Sequence, residues 1–222
     1  MKEYRLPKNK RLLLACLLFV SASSMAQTIE KLYINMPDIL NPTLSKQNRM
    51  ELLEYHKAGQ GDSIANLFKH QAYLLKFDTL NQHLSVKNTP TSTFEMKILN
   101  QADSTVIIGI IRTVCAPVCM STIEFYDTAW NSIPVRFNMP TAIEWVDMNK
   151  IPAEKMDLQW VRSLMGISFV SLSFSDKDQS ILAKNNTLDF ISDVDRKVIA
   201  PYVSDKSISF GLKGNIWQRN KN

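Results

Sequence analysis

Thr105-Val106-Ile107-Ile108-Gly109-Ile110-Ile111-Arg112-Thr113-Val114 decides the fold. Its run of Val and Ile leaves no polar face, and a strand that is apolar on both faces belongs at the centre of a covered sheet. Phe94-Glu95-Met96-Lys97-Ile98 precedes it with strict alternation, the pattern of a strand with one buried and one wet face. After it the chain reverses at Cys115-Ala116-Pro117-Val118-Cys119 and returns through Ser121 to Asp127, with Ile123 and Phe125 pointing inward. Further upstream Tyr73, Leu75 and Phe77 face one way, and beyond a turn at Thr79 to Gln82 so do Leu84 and Val86. Antiparallel sheet is therefore expected from about Tyr73 to Asp127.

Helical periodicity flanks this core. Met36-Pro37 and Asn41-Pro42 exclude a long helix across Leu32 to Asn41. Ser45 then caps a helix carrying Met50, Leu52, Leu53 and Tyr55, with Lys46, Arg49, Glu51 and Glu54 outward and Gly59 and Gly61 as the stop. Downstream, Ile133 to Ile151 reads as a connector broken by Pro134 and Pro140, and Pro152 opens a second helix bearing Met156, Trp160 and Leu164 and ended by Gly166. Alternation resumes at Val170, Leu172 and Phe174, returns through Ile181 and Leu182, and closes with Ile208, Phe210, Leu212 and Trp217. Ser192-Asp193-Val194-Asp195 resembles a capping box before a short helix. The expected fold is α+β, an antiparallel sheet with helices packed on one face, in a single domain over 27–222 with two similar helix-plus-sheet halves, 27–136 and 150–222. Chance likeness of strand-rich text accounts for the halves as well as duplication does.

The first 26 residues carry a different signal. Lys2, Arg5, Lys8, Lys10 and Arg11 precede the apolar run Leu12 to Val20, and Ser24-Met25-Ala26 supplies the small residues of a cleavage site before Gln27. A signal peptide over 1–26, cleaved after Ala26, and a periplasmic or extracellular address are expected. The run falls short of the roughly 20 apolar residues of a membrane span, and Cys16 comes too early in it for a lipoprotein processing site. No transmembrane segment is expected after residue 26. Loss of the leader would take five of the 26 Lys and Arg and one of the 21 Asp and Glu, leaving 21 against 20 from a formal charge of +5. Basic character thus belongs mainly to the leader, and nucleic acid is not an expected partner. The apolar fraction of 45% suits an ordinary globule.

Searches for chemistry exclude more than they find. The chain holds no Gly-x-Ser-x-Gly elbow, His-Glu-x-x-His helix, phosphate-binding Gly-x4-Gly-Lys or dinucleotide fingerprint. Its three histidines, His56, His70 and His83, read as surface residues and form no ligand set. Glu51 with Glu54 and the group Asp189, Asp193 and Asp195 read as solvated acids, the latter lacking the glycine and terminal glutamate of a calcium loop. No catalytic residue, cofactor or metal site is assigned. For Cys115 and Cys119 a structural disulfide and two unpaired thiols both stay open. Trp160 fits a core stripe, whereas Trp145, beside Glu144 and Asp147 in the connector, is the expected partner contact. Ser63, Thr79, Ser104 and Thr128 each sit in an Asp-Ser/Thr-aliphatic tripeptide, which looks like the O-glycosylation acceptor of exported bacteroidete proteins; about one match is expected by accident, and turn chemistry is the alternative source.

A resemblance is carried by Met36-Pro37, Asn48-Arg49-Met50, Tyr55, Ala58-Gly59, Glu95-Met96-Lys97, Thr113-Val114-Cys115-Ala116-Pro117, Ser121, Phe125-Tyr126-Asp127, Trp130 and the closing Ser207 to Trp217. This series resembles an uncharacterised secreted family, a domain of unknown function, of Bacteroidales-type bacteria. The resemblance implies export and an α+β body and assigns no active site. The function expected is non-enzymatic, a periplasmic or surface binding or accessory protein recognising an unknown protein or glycan of the cell envelope through a sheet face or the 133–151 connector. The alternative is an envelope enzyme using Asp or Glu, marked by a deep pocket of converging carboxylates; an inhibitor-like module would show a broad concave sheet.

Overall fold

The computed structural model describes residues 28–100, 106–152, 154 and 156–220. The expected leader 1–26, Cys16 within it, and Ser104 lie outside the described residues. Six antiparallel strands form a meander in chain order: β1 (Ser63–Ala65), β2 (Gln71–Asp78), β3 (His83–Thr89), β4 (Ser92–Asn100), β5 (Val106–Cys115) and β6 (Cys119–Tyr126). A second antiparallel sheet has β7 (Val170–Phe174), β8 (Ile181–Asn185), β9 (Ile208–Lys213) and β10 (Ile216–Arg219), again in chain order. Helices α1 (Ile29–Asn35) and α2 (Lys46–Lys57) precede the first sheet, and α3 (Leu158–Leu164) and α4 (Asp193–Ile199) accompany the second. The α+β class is as expected, while the two halves differ in strand number.

The apolar run of β5 explains the layering. Ile108 and Ile110 enter one core with Phe94, Met96, Leu84 and Val86, roofed by Ile29, Leu32, Leu52 and Leu53 of α1 and α2. Ile107 and Ile111 face the other way, into a core with Phe125, Leu172, Phe174, Ile181 and Phe210 of the second sheet. The larger sheet is thus covered by helices on one face and by the smaller sheet on the other. Gly109 permits this closeness: a Cβ there would sit 2.6 Å from Cζ of Phe174. A third, smaller core joins the connector to α3 and α4 through Ala142, Val161, Met165 and Ile199.

Local rules set most element ends. Ser45 and Asn48 form a reciprocal capping box on α2. Ser192 accepts from the Asp195 N–H to start α4. α1 fits between Thr28, which accepts from Lys31, and the stop at Met36-Pro37. α3 begins later than Pro152 because Asp157 accepts from the Gln159 N–H and caps it there.

Three expectations change. Leu75 is a bulge in the β2–β3 register, so Ala72 and Leu74 are buried and Tyr73 and Leu75 exposed. One extra residue flips every side chain to the other face of a strand, which alternation alone does not disclose. Glu95 and Lys97, read as wet, face the second sheet and are covered by it. Arg49, read as outward, is 0% exposed. Its guanidinium donates to the carbonyls of Tyr33 (2.9 Å), Ile34 (3.2 Å) and Met36 (2.5 Å), closing the C-terminal end of α1, and to the Leu44 carbonyl (2.7 Å) ahead of α2 and Asp38 (2.9 Å). A planar fork of donors serves where helix-end carbonyls have no intrahelical partner. Tyr33 packs beside it, and burial holds its hydroxyl well above the ordinary tyrosine range.

Arg49→Met should lower stability by about 3 kcal/mol or more, since four carbonyls lose their donor inside the core. Asp38→Ala should cost under about 1 kcal/mol, because that carboxylate is largely exposed. Urea denaturation monitored by circular dichroism compares the two; equal losses would assign Arg49 to the ion pair and not to the helix end.

Candidate functional site

The smaller sheet covers only part of the larger one. β7 runs across β4 to β6, leaving β2, β3 and the near half of β4 as an overhang. Between that open face, the outward face of the smaller sheet and the β7–β8 turn lies a cleft of about 660 Å³. The floor comes from Lys76, His83, Ser85 and Glu95, the wall from Ser173, Leu182 and Ser209, and the end from Ser175, Asp176, Lys177, Asp178 and Ser180. Register places the floor residues together: Lys76 opposes Ser85 and Ser85 opposes Glu95, while His83 opposes Lys97.

His83 is the centre of this arrangement, at 2% exposure. Its Nε2 lies 2.8 Å from Oε1 of Glu95, the same oxygen that accepts from the Phe174 backbone N–H at 2.8 Å. An ionised carboxylate only accepts, so Nε2 carries the proton in this contact. Nδ1 is enclosed and makes no hydrogen bond, with Oδ1 of Asp176 lying 3.4 Å from it. Asp176 is in turn bonded to the Lys76 ammonium.

Lys97 holds the turn that ends the cleft. At 3% exposure it donates 2.6 Å hydrogen bonds to the carbonyls of Ser175 and Asp178, so a buried ammonium ties down the β7–β8 turn. Burial pushes its ionisation below the ordinary lysine range, against the opposing pull of Asp176, Asp178 and Glu95. Asp178 is held below the usual carboxylate range by the Ser180 hydroxyl and backbone N–H, and Asp176 by the hydrogen bond from Lys76.

The residues singled out in sequence fall elsewhere. Trp145 is a correction: it is 4% exposed in the second core, with its Nε1–H donating to the Lys206 carbonyl at 2.8 Å. The ring presents no free face because its polar edge is the part that needed a partner on burial. Cys115 and Cys119 are joined by a disulfide across the end of the β5–β6 hairpin. Ser63 lies in β1, and Thr79 and Thr128 lie in turns. The preceding Asp78 and Asp127 close those turns by accepting backbone N–H groups of Leu80 and Asn81 and of Ala129 and Asn131. Among the described residues no group of three or more His, Cys, Asp or Glu side chains is arranged to hold a metal ion, and no helix is long and apolar enough to cross a membrane.

Sequence reasoning missed the cleft. Its one signal was the small hydroxyls at Ser85, Ser173 and Ser209, on faces where a freely solvated strand usually carries larger polar side chains.

The chain belongs to the family described as "Protein of unknown function (DUF3256)", whose pattern matches residues 21–217. It is similar in fold to a solved structure titled "Structure of a domain of an uncharacterized protein from Porphyromonas gingivalis W83", with a TM-score of 0.72 and 17% identity over 87% of this chain and 98% of that one. No curated protein matches.

The charge pattern makes the turn acid-sensitive. Asp178 ionises at lower pH folded than unfolded, so its stabilisation is complete above the unfolded value near ~3.9 and is lost as pH falls through the folded one. Amide exchange across 175–180 should therefore quicken between about pH 6 and about pH 3, more than that of β5, once corrected for intrinsic rates. Asp178→Asn should exchange quickly at both; an unchanged profile would show that the carboxylate does not hold the turn.

Proposed function

From a family without an assigned activity, we propose that the chain is an exported, non-enzymatic binding or accessory protein of the cell envelope, and that it engages its partner through the cleft between the two sheets. The observation that carries the reading is the mutual engagement of the reactive groups in and behind the cleft. Glu95 accepts from His83 and from a backbone N–H, Lys97 is spent on two carbonyls, and Asp176 pairs with Lys76. General acid–base work needs a group facing substrate with a proton to give or take, and nucleophilic work needs a base beside the nucleophile. Here the free nitrogen of His83 faces a carboxylate, and no hydroxyl lies within hydrogen-bond reach of it. Glu95, Asp176 and Asp178 all line the cleft, but each is engaged by donors of the protein itself, so the enzymatic alternative using Asp or Glu has less behind it.

Export is supported by the leader pattern of residues 1–26 and by a disulfide between Cys115 and Cys119, a bond that persists in oxidising compartments. A glycan at Ser63, Thr79, Ser104 or Thr128 is compatible with that address.

The test is crosslinked capture from the native envelope, followed by mass spectrometry and glycan analysis, with wild type beside Ser85→Arg. That substitution fills the open floor without touching either core. A protein or glycan enriched by wild type and lost with Ser85→Arg supports the reading. Enrichment indifferent to the substitution would remove the cleft from it, and turnover of envelope material abolished by Glu95→Gln would replace binding with catalysis.

A further inference from the structure

We infer that the chain pairs with a second copy of itself through α4, the two helices lying antiparallel about a two-fold axis with Val194 and Val198 at the contact. The inference is independent of the cleft reading, since no residue lines both that cleft and the groove beside α4.

α4 buries only Ile199, which ties it to the third core. Val194 and Val198, one turn apart, stand 74% and 45% exposed. Phe190 just ahead of the helix and Ile167 just beyond α3 are 48% and 60% exposed, and with Trp160 and Leu164 they line a groove of about 310 Å³ beside α4. Large apolar side chains exposed singly need no explanation, but several gathered around one groove make a patch of the kind that marks an interaction surface. Valine at two open helical positions is not a choice that helix formation favours, because its branched side chain makes it a weaker helix former than alanine or lysine.

Charge decides what covers the patch. Arg196 pairs with Asp189 at 3.1 Å, and Asp195 accepts from the Ser192 hydroxyl. Asp193 and Lys197 are exposed and, among the described residues, have no hydrogen-bonding or ionic partner. With successive residues turned by about 100°, both fall on the flank of the valine stripe opposite Asp195, which lines the groove. A two-fold axis between antiparallel helices sets like flanks side by side in reversed order, so Asp193 meets the partner's Lys197 and Lys197 meets the partner's Asp193. The surface is thus its own complement in charge as well as in apolar stripe. A wholly acidic or wholly basic partner would satisfy one of the two charges and repel the other. An anionic lipid surface would meet Asp193 and Asp195 beside the valines, where a membrane-binding helix carries Lys and Arg. At 1.5 Å per residue α4 is only about 10 Å long. The contact is therefore small beside the ~800 Å² per partner of a stable interface, and association is weak and concentration-dependent.

Sedimentation equilibrium of the chain produced from its full-length sequence, with native mass spectrometry of mixed samples, tests this. Wild type should show a reversible monomer–dimer equilibrium. Val194→Glu, at an exposed position where Glu is a good helix former, should keep the wild-type circular dichroism and stay monomeric. Asp193→Lys and Lys197→Asp each set like charges opposite one another across the axis and should weaken the dimer about tenfold. An equimolar mixture of these two variants, one of them 15N-labelled, sets opposite charges there again and should form the mixed dimer at wild-type strength. Wild type monomeric at its highest soluble concentration, or a dimer indifferent to Val194→Glu, would overturn the inference. So would a mixture no stronger than its components, which excludes the antiparallel pairing. Liposome flotation lost with Val194→Glu, from a wild type that stays monomeric in solution, would give the patch to a lipid surface instead.

Discussion

The free edge of β7 is the constraint on which the architecture turns. A strand edge buried against another sheet must still pair its backbone groups, and no further strand is available to do so. Side chains of the larger sheet take that role. Glu95 accepts from the Phe174 N–H, Ser121 accepts from the Leu172 N–H, and Lys97 donates to the Ser175 and Asp178 carbonyls. Beyond the edge, Asn186 donates to the Cys119 carbonyl. The two sheets are therefore joined by a line of polar contacts laid along a largely apolar core.

That line also fixes where the smaller sheet can sit. Phe174 descends onto Gly109, the one residue of β5 without a side chain, and its neighbours complete the core with Ile107 and Ile111. Burial of such a side chain is worth roughly 1.5–3 kcal/mol, but apolar contact is non-directional and would tolerate a sheet slid sideways. The hydrogen bonds accepted by Glu95 and Ser121 and donated by Lys97 would not. With position set in this way, four strands cannot cover six, and β2 and β3 remain as an open ledge beside the β7–β8 turn. The cleft is a geometric consequence of docking unequal sheets through an edge.

The same residues have two faces to their work. Glu95 anchors Phe174 and at the same time bonds the His83 ring, so one carboxylate serves both the sheet contact and the floor of the cleft. Loosening the β7–β8 turn would disturb both Asp176 and the ring behind it.

Much of the fold was legible in the chain. The two-faced apolar run at Ile107 to Ile111, the alternation at Phe94 to Ile98 and Val170 to Phe174, and the caps at Ser45 and Ser192 are local signals, written in periods of two and in single hydrogen bonds near the chain. The strands, their antiparallel order and a β5 covered on both faces follow from them, although β5 lies next to the edge strand β6 and not at the centre of the sheet. What covered each face did not. Glu95, Lys97 and His83 carry the pattern of a solvated face, and Arg49 that of an exposed helix position, because alternation reports which side of an element a residue occupies and says nothing of what later packs there. The bulge at Leu75, the burial of Trp145 and the pairing of Cys115 with Cys119 likewise depend on partners that meet only in three dimensions. The sequence by itself determined the elements and the apolar faces they had to hide. Only the tertiary structure decided that polar side chains of one sheet would satisfy the edge of another, since a hydrogen bond between Glu95 and Phe174, 79 residues apart, exists only once both sheets are in place.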